Sequence, residues 1–204
     1  MKVIRYKILI TVMLFAASLQ VCAQQDWELS KDKNGIKVYT RKADSSKFKS
    51  VKVEAVLEGS LDKLASILMG VEKNIKWVYG TKSLHLIKRN SANELIYYAE
   101  TGLPWPMRNR DQAILINLYP DSAGHKLKIT TTGKPMAIPP TEGLVRVPYF
   151  LGVWDVTAVD NKRIAINYFL DVDPGGSIPA WITNMFVAKG PYETFMNLSG
   201  LLIK

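Results

Sequence analysis

Few residues in this chain have the type and spacing for covalent chemistry. The two histidines, His85 in SLHLIK and His125 after a turn glycine, lie on different segments, and no His, Asp or Glu set has zinc-ligand spacing. Asp171 and Asp173 are two apart, but a pair at this position reads as a solvated strand end rather than as a general acid and base. Gly175-Gly176 precedes a helical pattern, where main-chain amides can hold an anion. It reads better as the turn joining the last strand to that helix. There is no GxSxG and no glycine-rich phosphate loop, so no metal, cofactor or catalytic set is expected. The segment TGLPWPMRNRDQAILINL, from Thr101 to Leu118, asks for a different chemistry. It puts a tryptophan between two φ-restricted prolines, just before an apolar strand. Tryptophan favours places where one end of the ring is apolar and the other wet.

The elements that would position this loop begin after a leader. MKVIRYK is basic, ILITVMLFAASL is apolar, and Val21-Cys22-Ala23 suits cleavage, which is the order of a secretory signal peptide over residues 1–23. The apolar run is short of the roughly 20 residues a membrane span needs. Val21 is larger than the residue that lipid attachment at Cys22 would want before it, which favours simple cleavage over a lipoprotein. The leader holds Lys2, Arg5 and Lys7, three of the 27 basic residues, and no acid, so 24 remain against 18, a net +6. Cys22 is the single cysteine, and its loss leaves a mature domain without disulfide or thiolate metal site. The surplus charge suits anionic headgroups or ordinary solubility, and export disfavours nucleic acid.

From residue 24 to 204 the pattern is one domain of about nine antiparallel strands, a helix near Leu61 and a long C-terminal helix. Lys33-Asn34-Gly35 marks a hairpin. Val51, Val53, Ala55 and Leu57 alternate on one strand face. Ser60 caps a helix that Gly70 ends. Strands are expected over 82–88, 94–101, 111–118, 126–132, 143–158 and 163–172. Ser177-Ile178-Pro179 opens the last helix, and Gly190-Pro191 must kink or break it. A sheet this large curls, and its concave face needs an apolar cover, which the terminal helix supplies.

The interior holds more aromatic residues than plain packing asks for, among them Trp77, Tyr97, Tyr98, Tyr149, Phe150, Trp154, Tyr168, Phe169 and Phe195. Val145–Phe195, above all DPGGSIPAWITN, resembles the C-terminal half of a START (StAR-related lipid-transfer) domain, closest to its phosphatidylcholine-transfer type. Pro104-Trp105-Pro106 with Arg110-Asp111 resembles the family's segment between its fifth and sixth strands. Trp27 and Gly35-Ile36-Lys37-Val38-Tyr39 are similar to its opening.

The resemblance implies an α+β helix-grip fold: a curved antiparallel sheet wrapped around the C-terminal helix, enclosing an apolar cavity for one lipid. It implies a gate made by the loop after the fifth strand and the C-terminal helix, with transient contact at a membrane surface. On this reading Trp105, Ile116, Trp154, Tyr168 and Phe195 contact the ligand, as do Trp181, Met185 and Phe186 of the helix. Tyr98, Glu100 and Arg146 are the polar contacts. Arg110-Asp111 anchors the loop to the sheet. Some sterol-carrying members place an acid and an arginine in the cavity; Ile114, Leu115 and Ile116 stand here instead, and a sterol is not favoured. The architecture also hosts cyclases and hydrolases, for which Glu100, His85 and Tyr98 are the nearest acid–base candidates, and ligand-binding modules for sensing or storage. A monomer is expected.

The leader is testable directly. Protein recovered from the cell envelope is expected to begin near Gln24 by intact-mass measurement. A mass that includes residues 1–23, or a lipid on Cys22, would contradict simple cleavage.

Overall fold

The computed structural model describes residues 27–42, 48–73, 75, 77–179, 182, 187 and 189–204. The leader and Cys22 lie outside these residues.

Strands β1 (Glu28–Lys33) and β2 (Ile36–Lys42) form the expected hairpin. Asn34 and Gly35 take positive φ, 54° and 72°, which matches the strand twist and which asparagine and glycine tolerate. Strand β3 (Lys49–Glu58) buries Val51, Val53, Ala55 and Leu57, the alternation read from sequence. Helix α1 (Leu61–Met69) follows; Ser60 Oγ accepts from Lys63 N at 3.2 Å, and Gly70 N donates to Ser66 O at 3.0 Å. A single tight turn, Val71–Lys73, follows Gly70.

The remaining strands are β4 (Thr81–Ser91), β5 (Glu94–Thr101), β6 (Arg110–Pro120), β7 (Lys126–Gly133), β8 (Val145–Arg146), β9 (Tyr149–Ala158) and β10 (Arg163–Asp173), before helix α2 (Gly190–Leu202). They form one curved sheet in the order β1-β2-β3-β10-β9-β7-β6-β5-β4, with β8 beside β6. All pairs are antiparallel except β6 with β8.

That exception corrects the expectation of one strand over 143–158. Pro148 lacks an amide donor and restricts Val147, so the chain breaks there. Val145–Arg146 instead runs parallel to Arg110–Asp111, with Val147 N donating to Asp111 O at 3.0 Å. The strand count among the described residues is therefore ten rather than nine.

Helix α2 lies on the inner face of the sheet. Phe195, Leu198 and Leu202 are buried with the inner residues of β2 and β3 and with Leu64 of α1. Pro191 sits in its first turn, where a missing amide costs nothing. The expected break at Gly190-Pro191 is thus the beginning of a described helix. Asn34 Nδ2 donates to Tyr192 Oη at 3.0 Å, tying the first hairpin to α2, and Lys31 Nζ stands 3.8 Å from the Tyr192 ring centre.

This tie separates two effects at one position. Asn34→Gly keeps the backbone freedom and loses the tether, at about 1 kcal/mol; Asn34→Ala loses both, at about 2 kcal/mol. Urea unfolding measures the two. Equal stability of Asn34→Gly and wild type would mean that the hairpin–helix bond contributes nothing.

Candidate functional site

Between the concave sheet face and the start of α2 lies a cavity of about 280 Å³. Strand alternation decides which side chains reach it. Strand β5 turns Tyr97, Ala99 and Thr101 inward, β6 turns Arg110, Gln112, Ile114 and Ile116, and β10 turns Tyr168, Leu170 and Val172. Trp77, Phe150 and Trp154 add rings, Thr131 adds a hydroxyl, and Gly190, Pro191, Thr194 and Phe195 of α2 form the roof.

The rings at one end make a continuous contact. Trp154 and Phe195 stack at 5.3 Å, Trp154 and Tyr168 lie 4.4 Å apart, and Tyr168 is 5.7 Å from Phe195. Gly152 makes room for this cluster: a Cβ there would collide with Thr131 Oγ1 and stand 3.3 Å from the Tyr168 ring. Burial pushes the Tyr97 and Tyr168 phenols far above the ordinary tyrosine range, so both are neutral hydrogen-bonding groups.

Ile116, Trp154, Tyr168 and Phe195, all chosen from sequence, stand on this wall. Trp181, Met185 and Phe186 lie outside the described residues. Tyr98 and Glu100 sit on the opposite face of β5. Tyr98 stacks on His85 at 4.6 Å, and Glu100 accepts from Asn109 Nδ2 at 2.7 Å. Asn109 Oδ1 in turn accepts from Leu103 N at 3.2 Å, so Glu100 braces the loop rather than the ligand site. That loop sends Leu103 to the cavity wall and leaves Trp105 89% exposed. Sequence reading counted Tyr97 among the interior aromatics but did not choose it as a contact, and missed Ala99 and Gln112. The alternation Leu95-Tyr97-Ala99, with Leu95 and Ala99 buried, is the signal that picks Tyr97 over Tyr98.

Arg146 is committed elsewhere. Its Nε and Nη2 meet the Asp111 carboxylate at 2.9 and 3.0 Å, and it donates to the carbonyls of Pro135, Ile138 and Pro139 at 2.6, 2.9 and 2.7 Å. Thr141 Oγ1 adds a bond to Asp111 at 2.9 Å. Burial pushes the Asp111 carboxyl up, but the bonds from Arg146 and Thr141 outweigh it and hold it below the usual carboxylate range. Arg110, 4% exposed, donates to the carbonyls of Arg108, Pro174 and Gly175 at 2.6, 3.3 and 3.1 Å. Arg110-Asp111 thus anchors four segments around the sheet end. The described lining contains two cations, Arg110 and Lys49, and no carboxylate or imidazole. Among the described residues no cluster of three or more His, Cys, Asp or Glu could hold a metal.

Fold and cavity together define a helix-grip protein with an apolar interior. The START domain signature matches residues 16–197, and the chain belongs to that family. It is 29% identical to bovine (Bos taurus) phosphatidylcholine transfer protein over 83% of this chain and 80% of that one. It is 28% identical to an uncharacterized protein of Pseudomonas aeruginosa over 85% of both chains. A STAR-related lipid transfer protein from Xanthomonas axonopodis superposes with a TM-score of 0.79 at 28% identity, covering 87% of this chain and 99% of that chain. Human STARD10 superposes at 0.74 and 22% identity, over 92% and 78% of the two chains, a likeness of fold.

The Asp111–Arg146 pair gives a pH dependence with a definite sign. A depressed carboxyl stabilises the fold above its unfolded pKa, near about 3.9, and that stability is lost as pH falls through the folded value. Asp111→Asn is expected to cost roughly 3 kcal/mol at neutral pH and to flatten the acid limb of the stability curve. Urea unfolding at neutral pH and below about pH 4 checks both. An unchanged acid limb in the variant would contradict the assignment.

Proposed function

We propose that the protein holds one hydrophobic ligand, a lipid, in this cavity, for transfer or sensing at a membrane. The observation that carries this reading is the wall itself: mostly aliphatic and aromatic side chains with a few neutral polar groups, two cations, Lys49 and Arg110, and no described carboxylate or imidazole. A lipid chain of about 16 carbons costs roughly 12 kcal/mol to move from a bilayer into water, and apolar walls offset most of that. The volume, about 280 Å³, lies just below the roughly 300–1,000 Å³ of small-molecule sites, so a whole lipid chain fits only if the roof at Gly190-Pro191 moves outward. Membership of the START family, and the printed functions of the bovine and Xanthomonas relatives, support the same class of partner.

The route in runs between the loop carrying Leu103 and the start of α2 at Gly190-Pro191, which both border the cavity. Trp105 on that loop and Met136 on the β7–β8 loop are 89% and 94% exposed, and both loops leave the same end of the sheet, where Lys134 N bonds Ala113 O. Trp105 serves as the wedge that enters the headgroup layer, with exposed Arg108 and Lys134 beside anionic lipids. Export through the leader places this exchange outside the cytoplasm. The helix-grip architecture also admits enzymes. His85, Tyr98 and Glu100, the acid–base residues such a reading would use, are absent from the described cavity lining, which favours binding over catalysis through them.

Native mass spectrometry of the protein from its producing cells is expected to show one intact lipid per chain. Trp105→Ala is expected to keep that lipid and to slow exchange between phospholipid vesicles by roughly tenfold, the loss of one buried aromatic anchor. A protein that neither carries lipid nor takes it from vesicles would overturn the binding reading. Undiminished exchange by Trp105→Ala would overturn the wedge alone.

A further inference from the structure

Charged side chains are rarely buried in a folded chain unless they are paired. Among the described residues Arg110 and Asp111 are buried. Asp111 has Arg146 as its counter-ion. Arg110 lines the cavity and forms no ion pair with a described carboxylate. Its partners are the carbonyls of Arg108, Pro174 and Gly175, which leave N–H donors over and supply no full negative charge. The acids nearby are committed elsewhere. Asp111 turns away from the cavity to Arg146 and Thr141, Asp173 accepts from Gly175 N at 2.8 Å, and Glu100 accepts from Asn109. Burial, and then the like charge of Arg108, push the Arg110 guanidinium below the ordinary arginine range, the direction expected of a cation without a counter-ion.

Lys49 on β3 is the other cation of the lining, and β10, β9 and β7 separate it from β6, so the two stand on different arms of the curled sheet. Its described ion pair, with exposed Glu28 at 3.6 Å, is a surface pair of little strength that a ligand anion can replace. Along β6 the wall runs Arg110, Gln112, Ile114, Ile116, with Ile114 and Ile116 buried. Charge therefore stands at the loop end, beside Leu103, and hydrocarbon surface lies beyond it. That is the polarity of an amphiphile with its head at the mouth and its tail inside. A cationic head would meet like charges and no described acid. A zwitterionic head would offer Arg110 its phosphate but leave its ammonium beside the same cations. An anionic head supplies the missing counter-charge where the low local dielectric makes a charge-assisted bond strong.

We propose that Arg110, aided by Lys49, holds an anionic head of the ligand, a carboxylate or a phosphate, so that the protein selects acidic lipids over neutral and zwitterionic ones of the same chain. The proposal rests on the lipid-binding reading above. The test incubates the full chain with stearate or methyl stearate at mildly alkaline pH, then measures bound probe after gel filtration. Wild type is expected to bind stearate at least about tenfold more tightly, one charge-assisted hydrogen bond. Arg110→Gln is expected to narrow that ratio below about threefold, and Lys49→Met to lower it at least about twofold. An arginine with a structural role alone would weaken both probes alike. Arg110→Gln also loses ties to two segments, so if it does not fold, Lys49→Met and the wild-type ratio decide. Phosphatidylcholine vesicles carrying equal small fractions of stearic acid and phosphatidic acid separate the two heads, since both lipids share one docking surface. Enrichment of stearic acid in the recovered protein identifies a carboxylate, and enrichment of phosphatidic acid a phosphate. A wild-type ratio near unity without enrichment of either acidic lipid, or a ratio preserved in every folded variant, would overturn the anionic subsite while leaving lipid binding intact. Retention of neither probe, nor of any lipid from the vesicles, would overturn lipid binding and the subsite with it.

Discussion

Phe195, Trp154 and Tyr168 hold the terminal helix to the inner face of the sheet, and the cavity exists because of where that contact falls. The three rings meet at 4.4 to 5.7 Å, each pair adding roughly 0.5–1.5 kcal/mol beyond area burial. They divide α2 into two functional halves. Beyond Phe195, Leu198 and Leu202 are buried in solid packing against β2, β3 and α1. Before it, Gly190, Pro191 and Thr194 roof open space. One helix is therefore solidly packed at its C-terminal end and borders the cavity at its N-terminal end, with the ring cluster as the boundary.

Charge does its structural work at the margin of that space. Asp111, 1% exposed, joins Arg146 and Thr141, and Arg146 gathers three carbonyls of the proline-rich loop. Arg110, its neighbour, gathers carbonyls from the Trp105 loop and from the turn after β10. Two adjacent residues at the start of β6, pointing to opposite faces, thus tie four chain segments, Arg110 through main-chain oxygens and Asp111 through the side chains of Arg146 and Thr141. Such bonds need fixed geometry more than particular partners, which suits arginine with its rigid fork of donors. The loop carrying Trp105 is braced by this node and by the Glu100–Asn109–Leu103 chain of bonds, so an exposed ring rides on a stiff support.

Much of this was legible before the structure. The Asn34-Gly35 hairpin, the alternating face of β3 and the Ser60 cap each have a local cause that the sequence carries, and each stands as read, whereas the tie at Arg110-Asp111 was implied by the family resemblance. The wall residues were legible where an aromatic had a single plausible side, as for Trp154, Tyr168 and Phe195. They were not legible where two similar residues were adjacent. Tyr97 and Tyr98 differ by one position, which on a strand is the difference between cavity and outer surface, and only the register against Leu95 and Ala99 decides it. Arg146 was misassigned for another reason: its partners are the oxygens of a loop some ten residues upstream and a carboxylate on a parallel neighbour, a pairing that no local pattern announces. The break at Pro148 was visible as a proline but was overridden by the apolar run around it.

The most direct test of an interior lipid site is to fill it. Ala99 faces the cavity and is almost wholly buried, so Ala99→Phe places a ring where a ligand would lie. Stoichiometric uptake from phospholipid vesicles, measured for wild type and for a folded Ala99→Phe, is expected to fall from one lipid per chain to near none. Uptake that persists in the filled variant would place the lipid elsewhere and contradict the interior site.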